Sequence, residues 1–151
     1  VWAKYPKVTL GPRIEGEDAM LEGEPARRHL LAQHKAYLDG WRANDPDAIL
    51  AHMHDGVQAN IRDYVSNTGK LIGLESKDDY RTYLKAFFGK YEVLKVDYLH
   101  RVMQEWYLFA EIRVEMRDRA GKALAFNSAD LFVPARNNQV IVQTGHGTDL
   151  A

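Results

Sequence analysis

Residues 37–63, YLDGWRANDPDAILAHMHDGVQANIRD, decide the fold because they join two helices and a strand within one short stretch. Asn44-Asp45-Pro46 ends the first helix and begins the second, since a side-chain acceptor followed by proline is typical of a helix N-terminus. Residues 57–61 alternate between apolar and polar, which predicts a half-buried strand. The same period of two puts Asp63, a carboxylate, on the apolar side at the end of that strand.

The composition limits the class of protein. The 151 residues suit one domain, and 46% of them are apolar, which is enough for a core. The net charge is −1, whereas nucleic-acid binding needs a basic face. The chain has no cysteine, which excludes a disulfide framework and a thiolate metal site. No apolar run approaches the ~20 residues of a membrane helix, so we expect a cytoplasmic protein that binds neither nucleic acid nor membrane.

The chain divides into an expected N-terminal arm at 1–25 and a domain at 26–151. Proline, glycine and acidic residues interrupt any period in the arm, which either contacts the pocket or a partner or is a partly ordered terminus. The domain begins with an amphipathic helix over 25–43 and a short helix over 46–54. A third helix begins at the cap Ser76 and ends near residue 89.

Four strands are predicted in the second half of the chain. Alternation of apolar and polar residues is continuous over 94–102, 105–117, 124–133 and 140–148, with turns between these segments. Helices that precede most of the strands favour an α+β fold, with the helices on one face of a curved sheet.

This order of elements resembles the NTF2-like superfamily over residues 26–150; the superfamily includes ketosteroid isomerase and the SnoaL-like polyketide cyclases. The resemblance implies a cone in which three N-terminal helices pack on a strongly curved, mostly antiparallel sheet that encloses a pocket. Three features are similar to the site of ketosteroid isomerase: Tyr37 before the Asn44–Ile49 stretch, Asp63 at the end of a strand, and Asp130 in an apolar strand before a hairpin. The spacing to Asp63 is slightly longer here.

By this resemblance, Asp63 is the candidate base, and Tyr37 and a protonated Asp130 are the candidate oxyanion donors. A carboxylate can remove a proton next to a carbonyl, while two donors stabilise the enolate that forms. An apolar site keeps a carboxylic acid neutral, as known for ketosteroid isomerase. Related dehydratases pair a histidine with Tyr or Asp, which makes His34 and His146 further candidates, with His100 as an alternative.

The predicted ligand is a small apolar carbonyl compound or a polycyclic molecule. The apolar walls of the pocket are expected to come from Trp41, Phe87, Phe88, Tyr98 and Phe126. The predicted protein is a small cofactor-independent enzyme that works through an enolate as an isomerase, dehydratase or cyclase. The alternative is a non-catalytic ligand-binding or dimeric interaction module of the same superfamily.

Each candidate residue also has a structural interpretation. Tyr37 is equally suited to a place in the core, and Asp63 to capping the turn before Ser66. The segment His52-Met53-His54-Asp55 is not expected to bind a metal, because side chains two residues apart on a helix diverge.

The outer face of the sheet predicts a partner. Apolar Ile112 should face the pocket, which leaves Arg113 and Glu115 outside as an ion pair or a dimer contact. Tyr107 and Phe109 share that outer face. Exposed aromatic residues on a sheet indicate an interface, so we expect a homodimer through the sheet.

Overall fold

The structure is a computed structural model that describes residues 23–104, 107–135 and 139–151. Its helices are α1 (Gly23–Ala43), α2 (Pro46–Leu50) and α3 (Lys77–Lys90). Its strands are β1 (Met53–Arg62), β2 (Leu71–Leu74), β3 (Tyr91–Met103), β4 (Leu108–Asp118), β5 (Ala123–Ala135) and β6 (Gln139–Gly147). The expected arm falls almost entirely outside the described residues, so its boundary stays a prediction.

The strands form one six-stranded sheet in the order β2-β1-β6-β5-β4-β3. All neighbouring strands are antiparallel except β1 and β6, which are parallel. The predicted α+β fold, with helices packed on a mostly antiparallel sheet, is confirmed. The parallel pair sets Ile61 opposite Gly145, and it brings the stretch that decides the fold against the last strand.

The turn between α1 and α2 forms as the sequence predicts. The Asp45 side chain accepts hydrogen bonds from the backbone N–H groups of Asp47 and Ala48, which satisfies two free donors of α2. Asn44 adopts a positive φ of 56° and bonds to β3 in both directions. Its Nδ2 donates to the Val93 carbonyl at 3.0 Å, and its Oδ1 accepts from the Val93 N–H at 2.8 Å. The turn is therefore fixed to the sheet.

Helix α2 is shorter than predicted, because it ends at Leu50 and β1 already begins at Met53. Helix α3 begins as predicted, with the Ser76 hydroxyl accepting from the Asp79 N–H at 3.1 Å.

Of the helices in the described part of the chain, none has the length and apolarity needed to cross a bilayer.

Two features of the sheet differ from the prediction. The sequence analysis did not predict β2, a four-residue edge strand. Strand β3 does not alternate strictly from Leu94, because its register with β4 shifts between Val93 and Lys95 and again between Tyr98 and His100. A β-bulge inserts an extra residue and reverses the faces. As a result Val93 is buried and Leu94 is exposed.

Candidate functional site

A cavity of about 420 Å³, its opening included, lies between the helices and the inner face of the sheet. Its wall is mostly aromatic and aliphatic, with a few polar groups, which is the usual character of a small-molecule site. Four strands, both long helices and the turn after β1 contribute side chains to it. They are Tyr37, Trp41, Ile61, Arg62, Tyr64, Tyr80, Tyr83, Ile112, Val114, Phe126, Ser128, Asp130, Gln143, Gly145 and Gly147.

Asp130 is the acid of the cavity. It lies on β5 in the inward-facing row that also contains Phe126 and Ser128, and only 3% of it is exposed. Burial raises the pKa of Asp130 to about 7, although the hydrogen bond that the Ser128 hydroxyl donates to Oδ1 at 2.6 Å lowers it. No cationic side chain of the described residues contributes to this shift. Asp130 therefore exists in both protonation states near neutral pH.

Space in front of Asp130 depends on Gly145. The two residues are register partners on β5 and β6. A Cβ atom on Gly145 would stand 3.0 Å from Asp130 Oδ1 and 3.5 Å from the Ser128 hydroxyl oxygen. Since ordinary contacts are longer, a side chain at position 145 would crowd the carboxyl group. The glycine keeps that group open to the cavity.

Tyr37 is held in the cavity wall by two polar neighbours. Its hydroxyl accepts a hydrogen bond from Gln143 Nε2 at 3.0 Å, and Tyr80 is a neighbour that raises its pKa. Burial, followed by the charges of Tyr80 and Asp130, raises the pKa of Tyr37 well above its ordinary value, so the phenol stays protonated. Gln143 Oε1 is buried and has no hydrogen-bond partner among the residues that the structure describes.

Asp63 is not brought to the cavity. Its carboxylate accepts the backbone N–H groups of Val65 at 2.9 Å and Ser66 at 3.0 Å, and its own N–H donates to the Lys70 carbonyl at 2.9 Å. Burial raises the pKa of Asp63, but these hydrogen bonds outweigh burial and hold that pKa below its usual range. Asp63 therefore caps the turn after β1, as in the structural interpretation, and the site lacks the base expected there.

The histidines also lie outside the cavity. His34 is buried behind Tyr37, with its ring stacked on the Tyr37 ring at 5.7 Å, and it lines a smaller cavity of about 250 Å³. Its Nδ1 is hydrogen-bonded to the Tyr98 hydroxyl. Burial, followed by the charge of Arg101, lowers the pKa of His34 to about 3, so the ring is neutral. His146 is exposed and is not part of the cavity wall.

The structure divides the expected apolar walls into two groups. Trp41 and Phe126 line the cavity. Phe87 and Phe88 instead pack edge-on against Trp41, with ring centroids 5.2 and 5.4 Å from it, and so support the wall from behind. Tyr98 belongs to the His34 cluster.

Several residues of the cavity wall were not expected from the sequence. They are the polar side chains Arg62, Tyr64, Tyr80, Ser128 and Gln143. A signal was present on β6, where a buried glutamine shares the inward-facing row of the strand with two glycines. A polar residue in such a row points to a pocket, because a buried polar group needs a partner.

The outer face of β4 is arranged as predicted. Arg113, which is exposed, and Glu115, which is half-buried, form an ion pair at 3.3 Å, while Ile112 and Val114 are buried. Phe109 is 36% exposed on the same outer face.

Within residues 23–104, 107–135 and 139–151, no three His, Asp or Glu side chains are grouped so that they could hold a metal ion.

Comparison with known proteins identifies the fold family. The model of the SnoaL-like domain matches residues 34–142. A putative polyketide cyclase from Xanthomonas campestris pv. campestris is similar in structure, with a TM-score of 0.63, 16% identity, and coverage of 80% of this chain and 90% of that one. An NTF2-like protein of unknown function from Burkholderia pseudomallei has a TM-score of 0.66 and 9% identity, with coverage of 80% and 91%.

A third similar structure holds a ligand. It is a protein from Mycobacterium tuberculosis in complex with estradiol-17beta-hemisuccinate, with a TM-score of 0.66, 11% identity, and coverage of 78% of this chain and 92% of that one. At such identities the likeness concerns the fold alone; together with the match to the SnoaL-like domain, it confirms the resemblance to the NTF2-like superfamily. A comparison with curated protein sequences gives no significant match.

Proposed function

Because this chain belongs to the SnoaL-like domain family, we propose that it is an enzyme that moves a proton on a small apolar carbonyl compound. The reaction passes through an enolate, as an isomerisation, dehydration or cyclisation, and uses no cofactor. The observation that carries this proposal is the position of Asp130. Its carboxyl group is buried, faces an apolar cavity and accepts a hydrogen bond from one hydroxyl group. The proposed location is the cytoplasm, as expected from the sequence.

Asp130 takes the role of base that the sequence analysis assigned to Asp63. With a pKa of about 7, its ionised form removes a proton from the carbon next to the substrate carbonyl. The neutral acid then returns that proton to another carbon in an isomerisation, or to a leaving hydroxyl group in a dehydration. One residue therefore serves as both base and acid.

Tyr37 and Tyr80 supply the donor for the enolate oxygen. Gln143 Nε2 donates to the Tyr37 hydroxyl oxygen, so the proton of that hydroxyl group is left for a ligand oxygen. Tyr80 lines the same cavity beside Tyr37. A donor that is fixed in a dry cavity stabilises developing negative charge more than a donor in water.

Binding of 4-nitrophenol tests the donor pair, because its phenolate resembles an enolate and absorbs visible light. We expect the wild type to bind the phenolate, and Tyr37→Phe to weaken that binding about tenfold through loss of a hydrogen bond to a charged group. Tyr91→Phe is the matched control, since Tyr91 is buried and its hydroxyl donates to the Tyr64 carbonyl at 3.1 Å outside the cavity wall. Equal affinities for wild type and Tyr37→Phe would contradict the proposal.

A non-catalytic binding module remains the second candidate. It is favoured by the position of Asp63, which leaves the cavity with one carboxyl group instead of two. A screen of apolar enones and hydroxy-ketones separates the two functions. Turnover that disappears in Asp130→Asn supports the enzyme, whereas binding without turnover supports the module.

A homodimer through the outer face of the sheet is part of the proposal. Val102 and Phe109 are exposed register partners on β3 and β4, and Leu131 of β5 pairs with Phe109 on its other side. An apolar row of this kind suits the core of an interface. Light scattering after size exclusion should show a dimer for the wild type and a monomer for Phe109→Glu. Leu71→Glu, which changes an exposed residue on the β2 edge, should stay dimeric; a monomeric wild type would refute the dimer.

A further inference from the structure

The cavity wall contains a cation that the proposed chemistry does not use. Arg62 ends β1 and lines the cavity, and only 15% of its side chain is exposed. Its Nη1 donates to the Gly147 carbonyl at 3.2 Å, and its Nη2 donates to the Asp149 carboxylate. Its Nε is buried and has no partner among the described residues. The guanidinium group therefore keeps a buried donor, the Nε–H, without a partner among the described residues.

The acidic partner of Arg62 is easily displaced. The Asp149 side chain is 89% exposed, and an ion pair with one partner in water contributes little to stability. The Nε and Nη2 atoms lie on one edge of a guanidinium group, which matches the two oxygens of a carboxylate. Asp149 bonds only to Nη2 of that edge. A ligand carboxylate that replaces Asp149 would bond to both atoms.

The strand register places Arg62 relative to Asp130. Gly145 pairs with Asp130, and Gly147, whose carbonyl holds Arg62, pairs with Ser128. Two residues along a strand cover about 7 Å. Gln143, which holds Tyr37, lies two residues from Gly145 in the opposite direction. The order along the cavity is therefore phenol pair, carboxyl group and guanidinium group.

We propose that Arg62 forms an anion subsite and that the substrate is an apolar carbonyl compound that also carries a carboxylate. This inference rests on the proposed function, because the reacting carbon is the one placed at Asp130. The substrate carboxylate takes the place of Asp149 on Arg62. Between the polar groups, the rings of Tyr64 and Phe126, with centroids 4.2 Å apart, contact the apolar part of the substrate.

A pair of probes that differ only in charge tests the subsite. Binding of 1-naphthylacetate and of its uncharged amide, 1-naphthylacetamide, is measured by calorimetry at pH 6, where the probe carboxyl group is ionised and Asp130 is mostly neutral. We expect the wild type to bind the acid about tenfold more tightly than the amide, because a charge-assisted hydrogen bond has that effect. Arg62→Gln should reduce the affinity for the acid to that for the amide.

Two further variants test the anion subsite even if Arg62→Gln does not fold. Asp149→Asn removes the competing carboxylate and leaves Arg62 in place, so the acid should bind more tightly and the amide with unchanged affinity. Arg113→Gln is the matched control: Arg113 is ion-paired to Glu115 on the outer face, and neither affinity should change.

The outcomes separate the inference from the proposed function. Binding of the amide without any preference for the acid overturns the anion subsite and leaves the proposed function standing. The anion subsite is also overturned, and the proposed function left standing, if Arg62→Gln still binds the acid more tightly than the amide or if Asp149→Asn binds the acid with unchanged affinity. Failure of both probes to bind the wild type overturns the subsite and also the cavity on which the proposed function depends.

Discussion

Asp63, directly after β1, and Asp130, on β5, are both buried carboxyl groups, and they do different things. Asp63 is 8% exposed and Asp130 is 3% exposed. Burial acts to raise the pKa of both groups, yet Asp63 has a lowered pKa and Asp130 one of about 7. The difference lies in the donors. Two backbone N–H groups bond to Asp63, whereas one hydroxyl group bonds to Asp130.

Burial alone therefore does not define an acid or base. A carboxylate that receives several N–H donors keeps its charge and holds a turn together. A carboxyl group with one donor in an apolar cavity can give or take a proton near neutral pH. The following substitutions test whether this contrast holds, in order of decreasing expected effect.

Asp130→Asn should have the largest effect on how stability depends on pH. The folded-state pKa of Asp130 rises from 3.8 to about 7, so the contribution of Asp130 to stability is fully present below pH 4 and is lost as the pH rises towards 7. Asparagine does not titrate. Between pH 4 and pH 8, the free energy of unfolding of the wild type should fall by about 4 kcal/mol relative to the variant. Urea unfolding across this range measures it, and parallel curves would contradict it.

Asp63→Ala should change the free energy of unfolding with a dependence on pH opposite to that of Asp130→Asn. The folded-state pKa of Asp63 is lowered, so its contribution is present above the unfolded pKa and is lost as the pH falls through the folded one. At pH 7 we expect a loss of about 2 kcal/mol in the free energy of unfolding, because two N–H donors lose their acceptor. At pH 3 the loss should be smaller. Binding of 4-nitrophenol should not change, and a large change would place Asp63 in the site.

Ser128→Ala removes the hydroxyl group that donates to Asp130, and so tests how this one donor affects the pKa of Asp130. The hydrogen bond lowers the pKa of Asp130, so its loss should raise that pKa further, by about one unit. The pH at which probe binding changes reports the shift. Thr148→Ala is a control, since the Thr148 hydroxyl bonds to the Asn127 N–H outside the cavity wall. A downward shift in Ser128→Ala would show that the hydroxyl is not the donor.

Gly145→Ala should have the smallest effect on stability and a clear one on binding. A Cβ 3.0 Å from Asp130 Oδ1 crowds the carboxyl group and should cost about 1 kcal/mol in the free energy of unfolding. The same atom fills the space where a ligand meets Asp130, so probe affinity should fall. Gly73→Ala is the matched control, because its Cβ meets only Asn60 Oδ1 at an ordinary 3.6 Å. Equal affinities for the two variants would mean that the ligand does not approach Asp130.

The parts of the fold that the sequence predicts correctly are those with local causes. The turn between α1 and α2 depends on Asn44, Asp45 and Pro46, which are neighbours, and it forms as expected. The edge strand β2 and the bulges in β3 depend on pairing between distant segments. The period of two along a single strand does not contain that information.

The candidate site shows the same division. Tyr37 and Asp130 both line one cavity, which is the arrangement that the resemblance to ketosteroid isomerase implies. The period of two also correctly predicts that Asp63 is buried, but its carboxylate bonds to the N–H groups of Val65 and Ser66 and does not line the cavity. Gln143 was not anticipated, because the inward row of β6 is defined only by its register with β5.

The central claim is that Asp130 carries the titrating proton of the cavity. Carbon-13 NMR of protein labelled at the aspartate carboxyl carbons tests it directly, because each carboxyl group reports its own titration. The account predicts one aspartate resonance that titrates near pH 7 in the wild type and is missing from the spectrum of Asp130→Asn. Titration of every aspartate at or below the ordinary carboxyl range, about pH 4, would contradict it.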